Sequence, residues 1–149
     1  MSSAPESIAF LTVDLARLFR QAFERAIAAE GLDLTAGEAR TLYHVAGCGG
    51  VHQTALAERM HVEPMTLSNF LDRLETRGLI ARAPDPGDRR AKRVVLTKTA
   101  EPLVQRIDAL SAGIRRRATT GLSVAEVETL RRAFQLIRGN LSEEEVTAV

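Results

Sequence analysis

The chain has 149 residues and a formal net charge of +1, with hydrophobic content of 45% and charged content of 26%, values ordinary for a globular protein of one domain with a real core. No apolar run approaches the ~20 residues a membrane span needs, and a single cysteine excludes an intramolecular disulfide framework and fits a reducing compartment. The opening MSSAPES has no basic region and no apolar core of a signal peptide, so a soluble cytoplasmic protein is expected.

Ile8, Leu11, Leu15, Leu18, Ala22 and Ala26 recur at spacings of three and four, with Phe19 and Phe23 widening the stripe. They predict an amphipathic helix over residues 6–30, stopped by Gly31. Thr35-Ala-Gly-Glu38 reads as a capping box opening a second helix, which the GCGG of residues 47–50 must end. Val51–Gln53 is a short connector or a single extended strand. Thr54–Met60 is a short helix with Leu56 and Met60 inward, and His61 occupies a sharp turn, histidine being enriched at positive φ. Pro64 opens a helix running to Arg77, at the position where its missing N–H costs nothing. Leu67, Phe70, Leu71 and Leu74 form one face of it. The opposite face presents Met65, Asn69, Asp72 and Thr76, flanked by Thr66, Ser68 and Arg73, a surface of short polar groups rather than the usual Glu/Lys mix.

Beyond Gly78, two β-prone runs, Leu79–Ala83 and Arg93–Thr97, flank a Pro/Gly/Asp turn. From Arg82 to Arg93 stand five cations (Arg82, Arg89, Arg90, Lys92, Arg93) and two carboxylates (Asp85, Asp88), a local +3 in a chain of +1. Residues 1–52 carry 4 cations and 6 anions, residues 53–97 carry 8 and 6, and residues 98–149 carry 8 and 7, so only the middle third has a clear excess. Cations at a hairpin tip reach phosphate without desolvating the protein body. Helix, turn, helix and basic hairpin in that order predict a winged helix-turn-helix in a mainly α fold.

Thr97 is placed to cap a long helix in which Leu103, Ile107, Leu110 and Ile114 line up, with Pro102 tolerated in its first turn. Gly121 breaks it, Ser123 caps again with Glu126 three residues on, and Val127, Leu130, Phe134, Ile137 and Leu141 repeat at three and four. A small winged helix cannot bury the stripes of the first helix and of these two. They are expected to pack against a second copy in an obligate dimer. The expected map is one domain over 1–149, with dimerisation helices at 6–30 and 98–141 and the DNA-binding lobe at 35–97.

The wing DRRAKRVVLT followed by KTAEPL, with DLARLFR in the first helix and LDRLETRGLIAR before the wing, resembles the MarR family of bacterial winged-helix transcriptional regulators, most closely its SlyA branch. The resemblance runs from Asp14 to the last helix. It implies a homodimer with interlocking terminal helices, whose two lobes read an inverted repeat in double-stranded DNA. It also implies that the helix from Pro64 enters the major groove and that Arg90 enters the minor groove, with Arg89 beside it and Asp88 orienting the pair. The branch often carries arginine where Asn69 stands. Asparagine suits adenine N6/N7 and arginine guanine O6/N7, so a different operator is implied.

The expected DNA contacts are therefore Met65, Thr66, Ser68, Asn69 and Arg73 on the recognition helix, and Asp88, Arg89, Arg90 and Lys92 on the wing. Met65 is assigned to a thymine methyl and Arg73 to a phosphate, while Gln53 and Thr54 are assigned to the DNA backbone. The resemblance further implies control by a small aromatic or phenolic acid in a crevice beside the dimer helices, for which Arg17, Arg20, Tyr43 and His44 could supply polar contacts. His44, Cys48 and His52 are spaced by four, a metal-ligand stripe were the helix continuous, but Gly47, Gly49 and Gly50 interrupt it and no metal is expected. Redox sensing by Cys48 lacks a basic sequence neighbour, so a buried thiol is expected. A glycine-rich cofactor loop, a P-loop, G-x-S-x-G and H-E-x-x-H are all missing from the sequence, so neither catalysis nor a cofactor is expected. A protein-interaction module would present an apolar or acidic face on the helix from Pro64, opposite to what stands there.

Overall fold

The computed structural model describes residues 6–147, with side chains to residue 142; the first five residues, on which part of the leader reading rests, lie outside these. Helix α1 spans Ile8–Glu30, with Ser7 Oγ accepting the Phe10 N–H at its start and Gly31 at φ 66° closing it. Helix α2 spans Ala36–Ala46 and opens with the complete Thr35/Glu38 capping box. The short strand β1, Val51–His52, leads directly into α3, Gln53–Met60, so Gln53 is the first helical residue rather than part of the connector. His61 ends α3 at φ 52°, the left-handed conformation its position predicts. Helix α4 covers Pro64–Thr76 with proline in its first turn.

Gly78, at φ 69°, terminates α4 in a Schellman arrangement: its N–H donates to Glu75 O and that of Leu79 to Leu74 O. That bond occupies Leu79, which is why β2 begins one residue later than its β-prone run, at Ile80, and runs to Pro84. Strand β3 spans Lys92–Leu96 and stands between β1 and β2, antiparallel to both. Ile80 faces Leu96, Pro84 faces Lys92, and His52 faces Arg93. Thr97 does not cap the following helix with its side chain. Its hydroxyl donates to Gly78 O at 2.6 Å, tying the end of β3 to the end of α4, and a single 3-10 turn, Lys98–Ala100, precedes α5 at Glu101–Ala118.

The chain divides into two compact units at Ile114–Arg115, within α5. The first is organised around Ile27, Leu42, Leu56, Leu67, Leu71, Leu74, Ile80, Val94 and Ile107, all buried. This is a winged helix-turn-helix: α3 and α4 form the helical pair, and β2 and β3 the wing. The first half of α5 contributes to that core through Ile107, with Leu103, Val104 and Leu110 packed against it. On α1, by contrast, Leu11, Leu15, Leu18 and Phe19 stay 43–49% exposed, and only Ile27 is buried. The second unit holds α6, Val124–Thr147, opened by a Ser123/Glu126 capping box. Its Leu130, Phe134, Ile137 and Leu141 are exposed. Among the described residues, no helix is long and apolar enough to cross a membrane.

Candidate nucleic-acid interface

Leu67, Leu71 and Leu74 anchor α4 in the core, which turns its polar side outward. Met65 is 73% exposed; Thr66 and Asn69 are exposed as well, and Ser68 is half-buried. Arg73 lies at the border of this face, its Nη1 3.6 Å from Oε1 of Glu38, the buried carboxylate of the α2 capping box. The neighbouring helix ends complement the polar face. Neither His52 at the start of α3 nor Glu63 at the start of α4 caps its helix with a side-chain hydrogen bond. Both helix N-termini thus keep backbone N–H groups and positive dipole ends for an anion. Gln53 and Thr54 sit at the first of them.

A groove of about 390 Å3 separates these N-termini from the wing. His52, Gln53, Thr54 and Pro64 line one side, and Asp88, Arg90 and Lys92 the other. The wing tip is braced by its own acids. Asp85 N–H donates to Ala91 O, and Asp88 Oδ1 accepts the Arg90 N–H at 3.0 Å. Asp88 therefore orients the backbone at Arg90, whose side chain remains exposed at the groove. Asp85 Oδ1 accepts the Gly87 N–H at 2.7 Å while its other oxygen lies 2.9 Å from His52 Nε2. The Gly87 bond first, then neighbouring His52 and Arg93, hold the Asp85 carboxyl below its ordinary range against the opposing effect of burial.

The five wing cations divide into two sets. Arg82 turns back to α4, where its guanidinium pairs with Asp72 and Glu75. The Asp72 bond is the main cause that raises its pKa above the ordinary arginine value. Arg93 donates to Gly50 O and approaches Asp85. Arg89, Arg90 and Lys92 remain exposed at the tip.

The sequence's ligand candidates separate too. Arg17 pairs with Asp14 along α1 at 2.6 Å. Arg40, one helical turn before His44 and not among the sequence candidates, lies within electrostatic reach of both Arg20 and His44. Burial lowers the Arg40 pKa, and Arg20 lowers it further against an opposing effect from Glu24. Burial, then Arg59 and Arg40, lower that of His44. Arg40 Nε is buried without a hydrogen-bond partner. The Tyr43 ring meets His44 edge-on, with centroids 6.4 Å apart. Cys48 is half-buried, with its thiol on His44 O at 3.1 Å. Arg59 donates to its sulfur, so a cation does adjoin this thiol, supplied by α3 rather than by sequence neighbours. With His52 on Asp85, the His44, Cys48 and His52 stripe does not converge. Among the described residues no group of three or more His, Cys, Asp or Glu side chains is placed to hold a metal ion.

Residues 34–92, which contain α2 to the wing, match the MarR family model. The crystal structure of the transcriptional regulator PA3341 is 31% identical at a TM-score of 0.81, covering 92% of this chain and 99% of that one. The chain belongs to the MarR family. A MarR-family transcriptional regulator from Rhodococcus sp. RHA1 gives a TM-score of 0.79 at 25% identity over 92% and 96% of the two chains. BpsR of Bordetella bronchiseptica, whose DNA binding is regulated by 6-hydroxynicotinic acid, shares the fold at a TM-score of 0.74 and 22% identity over 93% and 97%. Members of the MarR family are transcriptional regulators.

Proposed function

We propose that this protein is a cytoplasmic regulator, nearest the SlyA branch of the MarR family, that binds double-stranded DNA as a homodimer on an inverted repeat. One observation carries the reading: the uncapped N-termini of α3 and α4 and the exposed Arg90 and Lys92 border a single groove, and the polar side of α4 that follows Pro64 is itself exposed. In this reading Asn69, Ser68, Thr66 and Met65 meet base edges, Arg73, Gln53 and Thr54 meet the backbone, and Arg90 enters the minor groove with Arg89 and Lys92 beside it. Residues 6–30 and 98–141 join two copies, supported by the exposed apolar faces of α1 and α6, while 35–97 read DNA. Selection of bound sequences from random duplex DNA tests this: a two-fold site with half-sites near one helical turn apart is expected, about 34–36 Å. Absence of any enriched duplex in dilute buffer would refute it.

The same protein is proposed to respond to a small aromatic acid. Support comes from Arg20, Arg40 and Arg59, like charges set around a His44 that they and burial keep from protonating and that an anion would relieve, with Tyr43 alongside. A ligand favouring one arrangement of the two lobes would change operator affinity. Calorimetry with a panel of aromatic acids tests it, Arg40→Gln serving as the variant that should lose the response. A thiol-sensing alternative draws on the Arg59 contact to Cys48; peroxide would then alter operator affinity in the wild type and not in Cys48→Ser.

A further inference from the structure

Asp85 places a carboxylate in the basic wing that would meet DNA phosphates, where a negative charge opposes binding. Its surroundings show a different use. The residue follows β2 directly, and its side chain is only 15% exposed. One oxygen holds the Gly87 N–H; the other faces Nε2 of His52 at 2.9 Å and Nε of Arg93 at 3.9 Å. His52 ends β1, and β3 lies between β1 and β2. The carboxylate therefore reaches over the central strand and joins the two outer strands. Strand pairing stops at Pro84 and Lys92, and a two-stranded ribbon is marginal without further packing. Past that point the backbone bonds of the tip run within its own loop. The His52 contact ties the tip to the β1–α3 junction, where Gln53 and Thr54 face Arg90 and Lys92 across the groove.

We infer that the His52–Asp85 pair is a latch that sets the width of the groove between wing and helices, so that Asp85 strengthens operator binding through the position of Arg90 although its own charge opposes it. The latch rests on the DNA-binding reading above. His52 and Asp85 act as positioning residues, and the sign of the effect separates this role from simple electrostatics.

Full-length wild type, D85A, D85N and H52A would be titrated by fluorescence anisotropy with a selected operator and with a random duplex of equal length. A mere surface charge predicts that removing Asp85 tightens both complexes together. The latch predicts that D85A weakens operator binding about three- to tenfold while random-duplex binding holds or tightens. D85N keeps an acceptor for the Gly87 N–H but not the charge facing His52 and Arg93, so it should share the loss. Full operator affinity in D85N would assign the effect to the turn and overturn the latch. Being isosteric, D85N also decides the matter should D85A fail to fold. In the D85A background H52A should add nothing further, and additive losses would likewise overturn the latch. Wild type that binds neither duplex refutes the DNA-binding reading itself, whereas wild type that binds with D85N unchanged refutes the latch alone.

Discussion

Arg82 and Arg90 belong to the same hairpin, and their surroundings set opposite expectations. Arg82 is held by Asp72 and Glu75 on α4, whereas the Arg90 side chain is exposed and its backbone N–H is fixed by Asp88. Arg90→Ala should weaken operator binding by about 1–3 kcal/mol and lower the salt slope by about one phosphate equivalent. Anisotropy titrations across a salt series measure both, and an unchanged affinity removes Arg90 from the interface. Arg82→Ala should instead lower stability to urea by about 1 kcal/mol, since it breaks a partly exposed charged pair of contacts, and leave the salt slope unaltered. His44 adds a dependence on pH. Burial, Arg59 and Arg40 hold its pKa below the ordinary histidine value, so the folded chain binds fewer protons there than the unfolded chain. Its contribution is whole above the unfolded pKa of about 6.5 and is lost as pH falls through the window below it. Urea unfolding between about pH 7.5 and 5 should show wild type losing more stability than His44→Gln; parallel curves would deny the linkage.

Helices α2 and α4 approach at Gly37, where an added Cβ would stand 2.2 Å from the Phe70 ring. Alanine improves helix propensity by about 1 kcal/mol over glycine, but overpacking a core contact costs about 1–3 kcal/mol. Gly37→Ala should therefore be net destabilising in chemical denaturation, and a gain in stability would show that Phe70 yields freely. That contact joins residues far apart in sequence, which explains what the sequence could and could not reveal. The boxes at Thr35/Glu38 and Ser123/Glu126, proline at the start of α4, the left-handed His61 and the Gly78 stop were all legible, because each is decided within a turn or two of chain. The return of Arg82 to α4, Arg59 on Cys48 and Asp85 on His52 were not, since packing alone brings those elements together. Thr97 shows the same limit in a single residue: a good cap by type, it hydrogen-bonds Gly78 because the end of α4 lies within reach. Periodicity on α1 likewise identified an apolar face without showing what covers it.

Large apolar side chains lie exposed in both units of the chain, Leu11, Leu15, Leu18 and Phe19 on α1 and Leu130, Phe134 and Leu141 on α6. Stripes of this kind are uncommon on a monomer and fit a self-complementary contact between two identical copies. If association and folding are coupled, stability must depend on protein concentration. Apparent unfolding free energy should then rise by about 1.4 kcal/mol for each tenfold increase in concentration. Wild type should sediment as a dimer at micromolar concentration. Leu15→Glu places a charge inside the proposed contact and should shift it toward monomer, because an unpaired buried charge costs more than the lost apolar area. In the proposed two-fold reading an operator is held by two wings on one duplex, so operator binding should fall far more steeply in Leu15→Glu than binding of the isolated lobe surface to random DNA. A monomeric wild type, or a Leu15→Glu protein that remains dimeric with full operator affinity, would show that the α1 stripe serves some other contact.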